Sequence, residues 1–416
     1  MSWLRRVLME DICRETSMTI DQATELEARQ IVDSVRFEGR KAIRRWSQTL
    51  GDGSGPIVIP RSVLEDALVS LPVETQEVLQ TTAARISAFA ACQRASILDV
   101  SRPVPGGQCG LRYQPVLRAG CYAPGGRFPL PSSVLMTACT ARAAGVSEVW
   151  VASPRPQLIT LAAAAVAGAD GVLAVGGAQA IAAMAYGFEG FDACDIVVGP
   201  GNRWVTAAKR LVSGDVAIDM LAGPSELLVI ADETADPVRV AADLLAQAEH
   251  DPDAVPTLIA LNECVIEDVE RALTVQLSTL PTADIAGVAL GNGWAIRTSR
   301  EDAIVLANRI APEHLSLQLK DAAAFAPHLT NYGALFVGTG AAEVLGDYGA
   351  GPNHTLPTGG SARSFGALSV MDFLRAQTWL RIEDEKASQS LVRDTVVMAR
   401  LEGLEGHARS AESRLQ

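Results

Sequence analysis

Positive charge is scarce in this chain of 416 residues. Lysine and arginine total 35 against 48 aspartates and glutamates, so the formal net charge is −13. Proteins that bind nucleic acid present basic surfaces to phosphates, and anionic membranes attract basic segments. The acidic balance therefore predicts neither a nucleic-acid partner nor a membrane partner.

Paired cysteines and long apolar runs are also lacking. The seven cysteines show no CxxC motif, which predicts reduced thiols in a cytoplasmic chain. The first fifteen residues, MSWLRRVLMEDICRE, contain no apolar signal core. Residues 171–188 are uncharged, but Gly176, Gly177 and Gln179 interrupt them and acidic residues flank them. We expect a buried strand, turn and helix there rather than a membrane span.

The order of apolar segments predicts an α/β fold. The first hundred residues have helical spacing, with one long helix expected from Pro72 to about Ser96. Short β-branched runs then alternate with alanine-rich helical segments in two series, as in parallel sheets covered by helices. These runs are residues 149–152, 172–175 and 196–198, and then 227–230, 257–260, 294–297, 315–318 and 335–337. After Leu368 a charged helical arm is expected.

Histidine is scarce as well, and its placement is informative. Four of the five histidines lie in short motifs beside carboxylates or a carboxamide. The pairs are Gln247 with His250, Glu313 with His314, Asp347 with His354, and Glu402 with His407. Histidine binds metals and has the side-chain pKa nearest to neutrality. The pattern therefore predicts one site, a metal centre beside an acid–base pair.

Each motif alone permits a plainer interpretation. Gln247 and His250 share a helix face, which suits chelation but also a solvated helix end. Glu313 and His314 would point to opposite faces of a regular strand, so a shared pocket requires a bend. Asp347 lies in a glycine- and proline-rich loop after a predicted strand, and we expect that loop at the carboxyl ends of the strands.

Three glycine-rich turns suggest an anion site. They occupy residues 123–126, 176–179 and 199–202, and the latter two each end a β-run and begin a helix. Such a turn can present backbone N–H groups to a dinucleotide pyrophosphate, although none matches GxGxxG. Each alone is equally typical of an ordinary tight turn.

Together these segments resemble the histidinol dehydrogenase family from about residue 20 to 410. The motifs that carry the resemblance are GGAQAIAAMAYG, GPGNRWVTAAKR, AIDMLAGPSELLVIAD, DLLAQAEH, APEHL and GDYGAGPNHTLPT. The resemblance implies oxidation of L-histidinol through histidinal to L-histidine, in histidine biosynthesis, by one zinc ion per subunit and two NAD+. It also implies a domain-swapped homodimer with shared active sites.

The resemblance further implies roles for individual residues. As zinc ligands it implies Gln247, His250, Asp347 and His407, the last supplied by the partner subunit. It makes Glu313 and His314 the acid–base pair. Besides the zinc ligands and His314, it assigns the substrate to Ser225, His354 and Glu402, and the cofactor to Tyr122, Gln179 and Asn202.

The implied architecture is two Rossmann-like parallel-sheet lobes with helical arms at both ends. The expected divisions are a helical arm at 1–18, a lobe carrying the metal and catalytic residues at 19–121 and 226–368, an NAD-binding lobe at 122–225, and at 369–416 a helical arm that reaches the partner subunit.

Two alternatives remain at this stage. Phe128, Leu130 and the segment NYGALFVG are more similar to paralogues such as sulfopropanediol dehydrogenases, which implies zinc- and NAD-dependent oxidation of another small polar alcohol, such as 2,3-dihydroxypropanesulfonate. The other alternative is a catalytically idle dimer that zinc holds together and that acts as a binding module. The intact Glu313–His314 pair argues against the idle dimer, because such a chain has no use for acid–base groups.

Overall fold

The computed structural model describes residues 2–12, 20–125 and 128–416. Within these ranges the strands are β1 (Arg5–Arg6), β2 (Val58–Pro60), β3 (Val100–Val104), β4 (Gly107–Pro115), β5 (Arg118–Tyr122), β6 (Glu148–Ala152), β7 (Gly171–Leu173), β8 (Ile196–Val198), β9 (Ala217–Ile218), β10 (Glu226–Ala231), β11 (Val255–Ala260), β12 (Trp294–Arg297), β13 (His314–Gln318), β14 (Ala334–Val337) and β15 (Leu374–Ile382). The α-helices are α1 (Gln22–Glu38), α2 (Arg40–Thr49), α3 (Arg61–Val69), α4 (Val73–Ala95), α5 (Pro131–Ala144), α6 (Leu158–Val166), α7 (Gly177–Tyr186), α8 (Arg203–Val212), α9 (Pro237–Ala248), α10 (Glu263–Leu277), α11 (Ala283–Asn292), α12 (Arg300–Ile310), α13 (Ala322–Phe325), α14 (Glu343–Asp347), α15 (Gln389–Leu401) and α16 (Glu405–Glu412).

Two six-stranded sheets share one strand order. In the first lobe the order is β2-β7-β6-β5-β8-β9, and in the second lobe it is β1-β12-β11-β10-β13-β14. All neighbours are parallel except β2, which is antiparallel to β7. Numbered along the chain, the five core strands of each sheet follow the Rossmann order 3-2-1-4-5. The prediction of two parallel-sheet α/β lobes is confirmed.

Most predicted elements are present in the structure. The β-runs of both series form β6 to β8 and β10 to β14, and the helix expected after Pro72 is α4. Residues 171–188 form β7, a turn at Gly176 and α7, as predicted. Within the described ranges, no helix is long and apolar enough to cross a membrane.

Both predicted helical arms need correction. Near the N-terminus, Arg5 and Arg6 form a strand that pairs with β12, and Met1 and residues 13–18 of that arm lie outside the described ranges. In the C-terminal arm, a short 3-10 helix (Val370–Phe373) is followed by the nine-residue strand β15, which pairs with β4 in a separate antiparallel sheet, β15-β4-β3. Most of β15 is exposed, so it lacks the alternation of buried and exposed residues that identifies a strand in sequence.

The expected grouping of residues 19–121 with the second lobe is not what the structure has. Helices α1 and α2 pack on α7 and α8, α3 packs on α6, and α4 packs on α5, all in the first lobe. Strand β2 extends the first sheet through β7. The described part of 19–121 therefore belongs mainly with the first lobe.

A short segment, residues 219–225, joins β9 of the first lobe to β10 of the second. The Thr206 hydroxyl of α8 donates to the Ala222 carbonyl (2.8 Å), and the Gly223 N–H donates to the Thr358 hydroxyl (2.5 Å). Asn353 of the second lobe donates to the Met136 carbonyl of α5 (2.9 Å). The segment thus leads from the carboxyl edge of the first sheet to the amino edge of the second, and these contacts hold the lobes together.

Candidate functional site

Glu313 and His314 meet at the start of β13 in one buried pocket. Ala311 has a φ of +54°, and this bend directs the chain into the strand. The Glu226 N–H of neighbouring β10 donates to Glu313 Oε2 (2.8 Å), and His314 Nδ1 lies 3.0 Å from the Glu226 carbonyl oxygen. Glu313 Oε2 and His314 Nδ1 are 3.6 Å apart. The bend that a shared pocket requires is therefore present.

The hydrogen bond of His314 fixes the role of its other ring nitrogen. A carbonyl oxygen only accepts, so Nδ1 must carry the proton that it donates to Glu226. In the neutral ring Nε2 then holds the lone pair. Within the described ranges, buried Nε2 has no hydrogen-bond partner, and Asp347 Oδ1 lies 3.7 Å from it. Nε2 is therefore the basic nitrogen whenever the ring is neutral, and it faces Asp347.

Three side chains beside this pair form a candidate metal group. His250, Glu343 and Asp347 each offer a ligand atom, and these atoms all lie within 4.8 Å of one another. His250 follows α9, while Glu343 and Asp347 lie one helical turn apart on α14. The amide of buried Gln247, oriented to satisfy both its partners, donates to Glu343 Oε1 (2.5 Å) and accepts from the Glu226 N–H (3.2 Å). The structure thus brings together three of the four predicted zinc ligands.

The group has the donor chemistry of a divalent metal site. It combines imidazole nitrogen with carboxylate oxygen, a set that zinc takes and that cobalt or manganese also accepts. Glu343 is 1% exposed, and no group in the described part of the chain makes a hydrogen bond with its Oε2. A buried oxygen of this kind requires compensation, and a bound cation would supply it. The residues present therefore fit the implied zinc ion.

Glu343 was not predicted from the sequence. The signal was present in AAEVLGD, where a glutamate and an aspartate four residues apart share one helix face. Such a pair is usually a solvated helix surface, and only the burial of Glu343 distinguishes it from one.

Burial and the crowding of carboxylates shift the pKa values of the site. Burial raises the pKa of both Glu313 and Glu343 to about 8. It would lower the pKa of His314, but the carboxylates of Glu343, Glu313 and Asp347 raise it by more. Burial lowers the pKa of His354, so this ring is neutral near pH 7. The pocket is therefore built to receive positive charge.

The loop after α14 holds His354 close to the same group. Asn353 anchors this loop by donating to the Met136 carbonyl and to the Thr140 hydroxyl (3.2 Å) of α5. His354 interacts electrostatically with Asp347 and His314. We expected this loop at the carboxyl ends of the strands. The Glu313–His314 pair beside it instead lies at the amino end of β13. Helix α9 follows β10 and ends near that edge, close to Gln247 and His250, and both Glu343 and Asp347 of α14 lie beside His314 there.

The remaining predicted substrate and metal residues are placed differently. Ser225 directly precedes β10 and is partly buried next to Glu226. Glu402 and His407 are both exposed, on a two-helix unit formed by α15 and α16. This unit has a small core of its own, made by Val392, Val396, Ala399, Ala408 and Ala411. Within this chain, the structure does not bring Glu402 or His407 to the candidate metal group.

The predicted cofactor residues lie at the carboxyl edge of the first sheet. The Gly177 N–H donates to the Tyr122 hydroxyl (3.1 Å). Asp52 Oδ2 accepts from the Gly176 N–H and from Gln179 Nε2, both at 2.9 Å. These N–H groups, expected to be open to a pyrophosphate, thus have protein partners. Asp52 was missed because it stands in a glycine-rich loop without a periodic pattern.

The turn at residues 199–202 also has hydrogen-bond partners within the protein. The Asn202 side chain accepts from the Trp204 and Val205 N–H groups (3.1 and 3.2 Å) and so caps α8. A Cβ atom on Gly199, whose φ is +117°, would lie 2.1 Å from the Tyr122 carbonyl oxygen, so only glycine fits. The third turn, residues 123–126, lies partly outside the described ranges.

Two Rossmann-ordered lobes with an acid–base pair and a candidate metal group between them define a dehydrogenase-like architecture. The family model of histidinol dehydrogenase matches residues 14–415. The chain therefore belongs to the histidinol dehydrogenase family and is an oxidoreductase.

Individual relatives agree with this assignment. The chain is 46% identical to the histidinol dehydrogenase of Thermus thermophilus over 401 residues, which covers 95% of this chain and 96% of that protein. It is 44% identical to that of Halobacterium salinarum, over 95% and 94% of the two chains. The crystal structure of histidinol dehydrogenase from Elizabethkingia anophelis superposes with a TM-score of 0.92 at 30% identity, over 100% and 98% of the chains.

Proposed function

We propose that this enzyme oxidises L-histidinol through histidinal to L-histidine, using zinc and two NAD+ per turnover. The observation that carries the proposal is the buried Glu313–His314 pair, held by the Glu226 backbone beside the group of His250, Glu343 and Asp347. The histidinol dehydrogenase family favours histidinol over the sulfonated diol. A pocket with three carboxylates likewise suits a cationic amino alcohol better than a sulfonate anion.

His314 is the base for the alcohol step. With Nδ1 committed to the Glu226 carbonyl, Nε2 of the neutral ring is the nitrogen that takes the hydroxyl proton. Zinc, when bound by His250 and Asp347 with Gln247 and Glu343, would hold and polarise the substrate oxygen, and NAD+ would accept the hydride. Its charge would also offset the carboxylates that raise the pKa of His314.

Glu313 is the base for the aldehyde step. It takes a proton from the water molecule that attacks the aldehyde carbon. Burial raises the pKa of Glu313 to about 8, which makes this carboxylate a stronger base than an exposed glutamate. The Glu226 N–H orients the carboxylate by holding Oε2, so the second oxygen can face the water.

NADH formation by purified enzyme tests the proposed function. Histidinol and histidinal should each yield NADH, and 2,3-dihydroxypropanesulfonate should not. Chelation should abolish the activity, and added zinc should restore it. Full activity in rigorously metal-free protein, or turnover of the sulfonate without turnover of histidinol, would refute the proposal.

We further propose that the active sites are shared in a homodimer, with NAD+ bound on the first lobe. The exposed positions of Glu402 and His407, on a two-helix unit with a separate core, support an arm that docks on the partner. His407 of the partner subunit would then complete the metal site, and Glu402 of the partner subunit would bind the substrate ammonium.

Mixed dimers of two inactive variants can test the exchange. His250→Ala removes a ligand from the main body, and His407→Ala removes the ligand on the arm. With exchanged arms, one site of the mixed dimer loses both ligands while the other keeps both, so activity should reappear. Proven mixed dimers without any recovery would rule out the shared site.

A further inference from the structure

A buried ion pair outside the candidate site lies where the first lobe leads into the second. Lys209 of α8 pairs with Asp219, which follows β9, and their side chains are only 2% and 0% exposed. Removing two charges from water is costly, and apolar replacements of buried ion pairs are often equally stable. Stability alone therefore gives no reason for this pair.

Both side chains of the ion pair form hydrogen bonds with the backbone of Gly199. Lys209 Nζ donates to the Gly199 carbonyl oxygen (3.1 Å), and the Gly199 N–H donates to Asp219 Oδ2 (2.8 Å). Gly199 follows β8 and lies against the Tyr122 backbone. It begins the turn that ends at Asn202, so the pair fixes the position of that turn at the proposed cofactor edge.

The same pair fixes the start of the segment that enters the second lobe. Asp219 is the first residue of the 219–225 segment, and Thr206 of α8 holds the segment again at the Ala222 carbonyl. Three residues beyond the Gly223–Thr358 hydrogen bond lies Glu226, whose backbone holds Glu313 and His314. One continuous set of contacts thus runs from the turn at 199–202 to the acid–base pair.

We propose that Lys209 and Asp219 are positioning residues that hold the turn at 199–202 and the 219–225 segment in one fixed arrangement. This arrangement keeps a nicotinamide on the first lobe and the alcohol carbon on the second lobe at hydride-transfer distance. The inference rests on the proposed function. A misplacement of about 1 Å between reacting groups can reduce a rate by about 100-fold, so a small loss of registration has a measurable effect.

The double variant Lys209→Met with Asp219→Asn tests the role in the zinc-loaded enzyme. It removes both charges together, and the asparagine retains an acceptor for the Gly199 N–H. We expect kcat for histidinol to fall at least about 10-fold. The KM values for histidinol and NAD+ should change by less than about threefold, since ground-state contacts persist. The deuterium isotope effect with substrate labelled at the carbinol carbon should rise as hydride transfer becomes limiting.

A second ion pair of the first lobe provides the matched control. Arg142 of α5 and Asp170 before β7 are 2.6 Å apart and lie at the opposite edge of the sheet. Arg142→Met with Asp170→Asn should lower stability without changing kcat or the isotope effect. If the Lys209 and Asp219 variant does not fold, Thr206→Val removes the α8 contact with Ala222 alone and should lower kcat in the same selective way.

The outcomes separate this inference from the proposed function. An unmodified enzyme that forms no NADH from histidinol contradicts the proposed function. An active enzyme whose Lys209 and Asp219 variant, or Thr206→Val variant, has an unchanged kcat and isotope effect overturns the positioning role. Equal falls in kcat for that variant and the Arg142 and Asp170 control would also overturn it, because the loss would then be general.

Discussion

Replacing Glu343 by glutamine should weaken zinc binding and, at pH 7.5, make the metal-free protein more stable. Glu343 is 1% exposed and lies against the Gln247 amide, beside His250 and Asp347. Glutamine keeps its shape but removes the charge that a cation would bind. Loss of a residue that ligates or orients a metal ligand typically weakens binding by about 10- to 100-fold. We expect the zinc dissociation constant to rise within this range.

The stability change follows from the raised pKa. Burial raises the pKa of Glu343 from 4.5 to about 8, so between these values the folded chain keeps a proton that the unfolded chain releases. Stability therefore falls as pH rises through this window. From pH 4.5 to pH 7.5, about three pH units, the free energy of unfolding falls by about 1.4 kcal/mol per unit, on the order of 4 kcal/mol in total. Glutamine does not titrate, so the metal-free variant should be the more stable chain at pH 7.5.

Two measurements on the folded protein test this prediction. Chelator competition gives the zinc dissociation constant, and denaturant titration at pH 4.5 and 7.5 gives the free energy of unfolding of the metal-free protein. Glu233→Gln, an exposed change on the second lobe, controls for the loss of one negative charge. A Glu343→Gln variant that binds zinc as tightly as the parent, or that is less stable than the parent at pH 7.5, would contradict the reasoning.

Further variants divide the site by function. Glu313→Gln should slow histidinal oxidation more than histidinol oxidation, whereas His314→Ala should lower histidinol oxidation by about 100-fold, both seen in separate half-reaction assays; equal small losses would contradict these roles. Asp52→Ala should lower stability by about 1–3 kcal/mol in denaturant titration, because the Gly176 N–H and the Gln179 amide lose their shared acceptor, and an unchanged midpoint would count against it. Glu402→Gln should raise the dissociation constant of histidinol, measured by calorimetry, and leave that of NAD+ unchanged.

The sequence predicts those elements whose burial produces a pattern. Strands β10 and β13 are fully or almost fully buried, and a strand covered on both faces appears as a continuous apolar run. Strand β15 is exposed over most of its length and pairs with β4 from a distant part of the chain, so no local pattern marks it. The N-terminal strand is only two residues long, too short for any periodicity.

The sequence predicts the part of the candidate site that is built from histidine, a residue type that is scarce in this chain. His250, His314 and His354 all interact electrostatically with Asp347, so three of the four predicted motifs meet, whereas Glu402 and His407 are exposed elsewhere in the chain. Glu343 and Asp52 belong to residue types that are common on surfaces, and only long-range packing reveals their burial or their partners. The contact of the pair with Glu226 depends on the register of β10 against β13, in which Leu227 is opposite His314. Register between strands more than eighty residues apart cannot be obtained from local sequence.

The position of the pair at the amino edge of the second sheet has a physical reason. The first residue of a parallel strand presents a backbone N–H and C=O beyond the part that pairs with its neighbour, and Glu226 stands one position before the β10–β13 register begins. An N–H suits a carboxylate and a carbonyl suits a protonated ring nitrogen, so one residue orients Glu313 and His314 together. The carboxyl edge of the first sheet, with the proposed cofactor turn, leads into this amino edge through the 219–225 segment. Two lobes of the same strand order thus contribute opposite edges, one for the cofactor and one for the acid–base chemistry.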